Sequence, residues 1–244
     1  MPTYRLDIAY DGSGFRGYAR QPDVSTVQGE LERALAHHTG DVETAVAGRT
    51  DKGVHATAQV VSFATDAALD TGRVLRSLNR QLAPQIAALA LHEAPGDFHA
   101  RFSAVSRSYR YRILNRETPD PFLAGTSWHV PVPLDVEAMN NSVASLVGEH
   151  DFASFCKRSG KPTVRLVLDA GWRREGERVD LTIRATSFCH QMVRSIVEMC
   201  VDIGRGKLPV EAAVAILSAR DRDAGRGAAP PHGLSLVGVE YPMP

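Results

Sequence analysis

Arg49, Asp51 and Lys52 fall within four residues of one another in AVAGRTDKGVHATAQVVSFAT (45–65), where two apolar runs flank the loop Gly48–Val54. A carboxylate between two cations can do two kinds of work. Held ionised by a neighbouring guanidinium, since nearby positive charge favours the charged form, Asp51 could act as a nucleophile or a base. It could equally be turn chemistry. Asp followed two residues later by Gly is ordinary between paired strands, with Gly53 supplying a positive φ. Residues 48–56 are many for that purpose, because hairpin connections usually take about two to five. The C-terminal half has a plain hairpin turn at REGE (174–177) where the first half has this charged loop. From the residues alone, both readings stand.

Other motifs narrow the chemistry. GSGFRG (12–17) satisfies G-x-G-x-x-G after a strand-like run, which raises a nicotinamide-dependent oxidoreductase. That fingerprint works only when a helix opens on the glycines and faces its amides to the pyrophosphate. Here YARQPDVS intervenes, Pro22 bars an earlier start, and the helix is expected to begin near Thr26. No P-loop pattern and no D-x-D follow, so no nucleotide cofactor is expected. The histidines include no H-x-x-x-H pair, and the adjacent His37 and His38 point apart on a helix, so no metal site is expected. Cys156, Cys189 and Cys200 are an odd set without paired spacing, read as free thiols in a reducing cytoplasm.

Composition points to a soluble globular chain. It has 244 residues, 43% hydrophobic and 23% charged, with a net charge of zero. Arg5 and Asp7 interrupt the N-terminus before any apolar core of signal-peptide length, and IAALAL (86–91) is far short of a membrane span. Neutrality argues against a generic polyanion binder, but the charge is unevenly spread. RFSAVSRSYRYRILNR (101–116) carries five arginines and no acid, and KRSGKPTVRLVLDAGWRR (157–174) carries six basic residues against Asp169. Two such stretches suggest an anionic partner on one face.

The elements that must position these residues read as one pattern written twice. TYRLDIAY (3–10) alternates as a half-buried strand. Ser25 with Gln28 resembles a capping box ahead of a helical face of Val27, Leu31, Ala34 and Leu35. Strands are expected at 42–47 and 57–64, a helix over 71–82 stopped by Pro84, and a strand at 85–94. In the second half strands are expected at 106–114, 164–172, 178–185 and 233–241. Helices are expected after 133–135, around Met192–Cys200, and over 209–218 from Pro209. Each half is β-α-β-β-α-β. The fold class is therefore α+β: two tandem ferredoxin-like units, 1–104 and 105–244, forming a broad antiparallel sheet with helices on one face and a central active-site cleft.

At GRTDKGVHA the chain resembles the bacterial tRNA pseudouridine synthase A (TruA) family. YDGSGFRGYARQPDVSTVQGELERAL, DFHARFSAVSRSYRYRI, HDFASFCK, SFCHQMVRSIVEMCVDIGRGKL and APPHGLSLVGVEYP are similar to further family segments, in the family's order. The resemblance implies an isomerase that converts uridine to pseudouridine at positions 38–40 of the tRNA anticodon stem-loop. It makes Asp51 the nucleophile, with Arg49 helping to hold it or the RNA. Tyr109 becomes the tyrosine that stacks on the flipped-out target base, and Arg194 the cation that pairs with the aspartate. It further implies tRNA as partner, a homodimer and no cofactor. Tyr18–Ala19 stand where the family commonly has Trp-Gln, and Glu198 where it often has Gly. A binding-only tandem RNA module is the alternative of another class. Against it, neither half shows the aromatic strand pattern by which such modules stack bases.

Overall fold

In a computed structural model describing residues 1–242, Tyr4, Leu6, Ile8 and Tyr10 all turn inward along β1 (Thr3–Tyr10), as their alternation requires. By contact the chain forms two compact units, Met1–Arg107 with the stretch from Ser235 onward, and Ser108–Leu234. Each combines helices with mostly antiparallel strands.

In the first unit, α1 (Val27–Thr39) buries Val27, Leu31, Ala34 and Leu35. Its cap is Thr26, whose hydroxyl accepts from the Gly29 amide at 3.2 Å, one residue beyond the expected Ser25. Ser25 instead donates to the Glu30 carboxylate. The expected strand 42–47 shrinks to β2 (Ala45–Val46) because a side chain from α1 takes one of its amides. Buried Glu32 accepts from both the amide and the hydroxyl of Thr44, at 3.0 and 2.9 Å, so that amide is lost to the ladder. Next come β3 (His55–Ala64), α2 (Thr71–Leu82), capped by Asp70 and bounded as its periodicity predicts, and β4 (Ile86–Ala94). β1 lies between β3 and β4, antiparallel to both. β2 pairs with the far half of β3, with Ala45 opposite Ser62.

The strand expected at 233–241 is β10 in chain order (Leu234–Glu240). It groups with the first unit. Ser235 and Leu236 pair in parallel with His55 and Ala56, and the Tyr241 hydroxyl donates to the Ala100 carbonyl at 2.7 Å. Val239 and Tyr241 also pack against Ala47, Val60 and Ala100.

The second unit contains β5 (Ser106–Leu114), β6 (Trp128–His129), α3 (Val136–Ala144), β7 (Gly148–Asp151), β8 (Val164–Glu175), β9 (Arg178–Ala185), α4 (Met192–Gly204) and α5 (Ala212–Ala219). Its strand order is β5-β9-β8-β7, with β6 beside β5. β6 and β7 lay outside the sequence expectation, since two residues and the polar GEHD carry no period. Pro209 sits in a turn ahead of α5 and does not start it; the Ala212 amide closes that turn on its carbonyl. Met139, Val143 and Leu146 are fully buried, as is the predicted stripe of α4 apart from slight exposure at Val193. Among the described residues no helix is long and apolar enough to cross a membrane.

Glu198, half-buried on α4, has its carboxyl held above the ordinary 4.5, first by burial and then by the Asp202 charge, against Arg205, Lys207 and Arg226. The folded state therefore binds this proton more tightly than the unfolded chain does. Ionisation costs stability as pH rises through the raised value, and below 4.5 the cost is absent. Glu198→Gln is expected to raise the melting temperature modestly at pH 7, with the gain vanishing near pH 4. Thermal melts at both pH values check this.

Candidate active site

The connection 47–54 is a built loop. Val60 and Gln59 hold its entrance: the Ala47 amide donates to the Val60 carbonyl at 2.9 Å, and the Gln59 amide donates to the Gly48 carbonyl at 2.8 Å. Gln59 also donates to the Tyr10 hydroxyl at 3.2 Å, which leaves the Tyr10 proton for Thr50 Oγ1 at 2.8 Å. Burial pushes the Tyr10 phenol up to about 12, so it keeps that proton. The Thr50 carbonyl accepts from the Tyr18 amide at 3.0 Å. The exit is a turn in which the Val54 amide donates to the Asp51 carbonyl at 3.1 Å and Gly53 takes φ +77°, the left-handed conformation expected of it.

Asp51 itself is half-buried, between buried Thr50 and exposed Lys52, with exposed Arg49 two residues back in the same loop. The loop therefore joins the two openings of the sequence reading: its tip is a turn, and its flanks are restrained far beyond what a turn needs.

The glycine-rich segment has a task here. Its first residues form a single 3-10 turn, Gly12–Gly14, on which the Gly12 amide donates to His55 Nδ1 at 3.0 Å. That same nitrogen lies 3.1 Å from the Asp11 carboxylate. Gly12 is so close to the aspartate loop that a Cβ there would lie 2.0 Å from the Val54 carbonyl oxygen. GSGFRG cups the loop and opens no helix; α1 starts at Val27.

Tyr109 and Arg194 belong to the second unit. Tyr109, on β5, is 8% exposed and meets Phe188 edge-on with ring centres 5.1 Å apart. Arg194, in the opening turns of α4, donates from Nε to the Ala229 carbonyl at 2.6 Å, and its own carbonyl accepts the Ala229 amide at 3.0 Å. The next residue, Pro230, accepts the hydroxyl of fully buried Tyr111 at 2.8 Å. Burial raises the Tyr111 phenol far above its ordinary range, opposed by the Arg194 charge. The APPHG stretch thus has a physical role in this unit: it fixes Arg194.

Two expectations are corrected. Cys156 and Cys189 form a disulfide, with Cα atoms 5.7 Å apart, and only Cys200 is a free, buried thiol. The bridge joins the HDFASFCK segment to the residue after Phe188; a pair 33 residues apart has no spacing signal. The basic stretches are also less available than their composition implied. Arg112 pairs with Asp180, Arg116 with Asp120 and Glu177, and Arg158 with Asp221 and Asp223. Arg107 is buried, donating to the carbonyls of Ala47 (3.1 and 3.0 Å), Ala104 (3.0 Å) and Arg101 (2.5 Å). It joins the entrance of the aspartate loop to the turn at 99–103.

Sequence reasoning missed Arg107 as a supporting residue. One ammonium cannot serve three separated carbonyls as a planar guanidinium does. Arg107→Lys is expected to cost about 2–3 kcal/mol, roughly 1 kcal/mol for each buried carbonyl left without a donor, read as a lower urea midpoint at unchanged slope.

A family model described as tRNA pseudouridine synthase matches residues 8–103 and 143–242. The chain is 44% identical over 238 residues to the tRNA pseudouridine synthase A of Halalkalibacterium halodurans, covering 96% of this chain and 90% of that protein. Against the Moorella thermoacetica protein of the same name, identity is 44% over 247 residues, 99% and 100% of the two chains. Against that of Hyphomonas neptunium it is 42% over 249 residues, 99% of each.

Proposed function

This chain belongs to the tRNA pseudouridine synthase A family and is an isomerase acting on tRNA, and from that premise we propose that it converts uridines at positions 38–40 of the anticodon stem-loop, using Asp51 as the reacting carboxylate. The observation that carries this reading is the restraint of the loop that bears Asp51. Tyr10, Gln59, the Tyr18 amide and Gly12 all act on its backbone or on Thr50, so the carboxylate is presented without an ordering cost at the moment of reaction.

The chemistry asks little else of the chain. The bond between C1′ and N1 breaks, the base turns, and C1′ joins C5, whose hydrogen leaves as a proton while N1 gains one. Substrate and product are isomers, so the balance requires no redox partner or energy source. An ionised carboxylate serves as covalent nucleophile or as base for a sugar proton. The target leaves its stack at a cost of a few kcal/mol. Tyr109 is assigned the platform that repays about 1–3 kcal/mol of it, and Arg194 the counter-charge of the carboxylate. The exposed cations Arg101, Lys157 and Lys161 suit phosphate contacts, and Arg49 suits either the RNA or the loop. Two ferredoxin-like units, a homodimer and a cytoplasmic setting complete the reading. The β4-β1-β3-β2 order of the first unit supports the first of these.

The test is release of tritium from tRNA labelled at uridine C5. Release from a wild-type anticodon stem-loop, lost when uridines 38–40 are replaced, is the expected result. No release from a mixed tRNA pool would remove the proposal.

A further inference from the structure

The two ends of the Cys156–Cys189 bridge sit in different surroundings. Cys156 is buried at the end of a 3-10 turn, Ala153–Phe155, in which Ser154 and Phe155 are buried too. Its amide donates to the Ala153 carbonyl at 3.3 Å, so this end is fixed to the body of the unit. Cys189 is half-buried in the connection from β9 to α4, with Ser187 and His190 exposed on either side. That connection is tied where it begins and ends. The Thr186 amide donates to the Leu166 carbonyl and the Met192 amide to the Cys189 carbonyl, both at 3.1 Å. Beside the bridge, the Lys157 amide donates to the His190 carbonyl at 2.9 Å.

In a reducing compartment a disulfide is as a rule transient, catalytic or redox-sensing. Exchange needs a sulfur that a thiolate can reach and a sulfur that can leave. Cys189 is the end within reach, and Cys156 is the leaving end. The bond from Lys157 to His190 uses neither sulfur, so it keeps the two segments side by side once the bridge is open. Reclosure is then intramolecular, with the advantage that proximity gives. What the bridge holds is the residue before Cys189. Phe188 meets Tyr109 edge-on, with ring centres 5.1 Å apart and planes at 87°, and Tyr109 is left 8% exposed. A base stacks on the face of a ring. With the bridge closed, Phe188 is held one residue from a covalent anchor, against the ring on which that base would lie.

We propose that Cys156–Cys189 is a thiol–disulfide exchange site that takes a low-molecular-weight thiol as its reductant, and that its closed form pins Phe188 against Tyr109 and slows turnover. An external thiolate attacks Cys189 Sγ and forms a mixed disulfide; the bond to Cys156 breaks, and Cys156 leaves as a thiolate and takes a proton. A second thiolate attacks the external sulfur of that mixed disulfide, and Cys189 leaves and takes a proton in turn. Two protein thiols appear for each disulfide of the reductant formed, and a small disulfide drives the reverse. The exchange itself stands on the bridge and its surroundings. Its effect on turnover rests on the tRNA-isomerase reading and on the platform assigned to Tyr109.

The experiment equilibrates the full chain in a series of reduced and oxidised glutathione, alkylates the native protein and reads its mass. Two thiols are expected to appear together toward the reduced end and to vanish together on return, while buried Cys200 stays unlabelled. A bridge that survives excess reduced glutathione, or that does not reform, would overturn the exchange site. So would labelling of Cys200 in the reduced protein, which would mean that the bridge holds the fold together. Hydrogen exchange across 187–190, read without RNA, should be faster in the reduced form, and equal exchange would overturn the pinning of Phe188. Tritium release from C5-labelled tRNA should be at least about tenfold slower in the oxidised form, the scale of one base stack. Cys189→Ser should match the reduced wild type in either buffer, and Phe188→Ala should release alike in both. Equal wild-type rates, or a faster oxidised form, would overturn the effect on turnover. No release in any redox state removes the isomerisation reading instead, and the thiol count and hydrogen exchange still decide the site.

Discussion

Asp51→Ala is expected to lower tritium release from C5-labelled tRNA by about 10,000-fold or more, the scale on which removal of a reacting side chain acts, while affinity for the same tRNA changes by less than about threefold, because phosphate contacts dominate binding. The separation follows from how the loop is held. Its restraints run through backbone groups and through Thr50: the Val54 amide on the Asp51 carbonyl, the Tyr18 amide on the Thr50 carbonyl, and Tyr10 on the Thr50 hydroxyl. None of these runs through the Asp51 side chain, so they remain when it is truncated. Asp51→Asn sharpens the test, since it keeps the shape and removes the charge and basicity. Both variants should be inactive if the carboxylate reacts. Substantial activity in Asp51→Asn would assign the residue to positioning, and joint loss of binding and activity would return it to the architecture of the loop.

What could be read beforehand was whatever a short segment states by itself. β1, α2 and the apolar stripe of α4 follow from period and punctuation, and Thr71–Leu82 appears with the predicted bounds. Gly53 was marked by the φ its turn demands. What could not be read was non-local. Nothing near Ala45 says that Glu32 will take the Thr44 amide and cut β2 short. Nothing near Cys156 says that its sulfur meets Cys189.

Arg107 is a different case, because its signal was present and outweighed. It shares the strand parity of Tyr109, Tyr111 and Ile113, all buried, whereas Arg110 and Arg112 alternate with them and stay half-exposed. Counting arginines along 101–116 sums the two faces; separating them by parity assigns Arg107 to the interior, where it serves the aspartate loop.

Gly12→Ala should lower turnover by about 100-fold, the cost of displacing a reacting group by roughly 1 Å, with only about 1–3 kcal/mol of lost stability from overpacking. A Cβ at this position would lie 2.0 Å from the Val54 carbonyl oxygen and 2.5 Å from its carbon, and both are backbone atoms that no rotamer change can move aside. Either the 3-10 turn retreats, breaking the Gly12 amide bond to His55, or Val54 retreats, stretching the hydrogen bond that closes the turn after Asp51. The second glycine of the same motif is the control. A Cβ at Gly14 meets only the end of the Gln85 side chain, with Nε2 at 2.6 Å, and that chain can swing away. Gly14→Ala should therefore keep activity within about threefold, since surface substitutions of this kind cost little. In a dinucleotide-binding loop the glycines serve the approach of a pyrophosphate. Here the first one serves the approach of the chain's own aspartate loop, and unequal turnover of the two variants on C5-labelled tRNA would separate these uses. Equal activities would mean that the loop tolerates a shift at Val54 and that its restraint does not govern the chemistry.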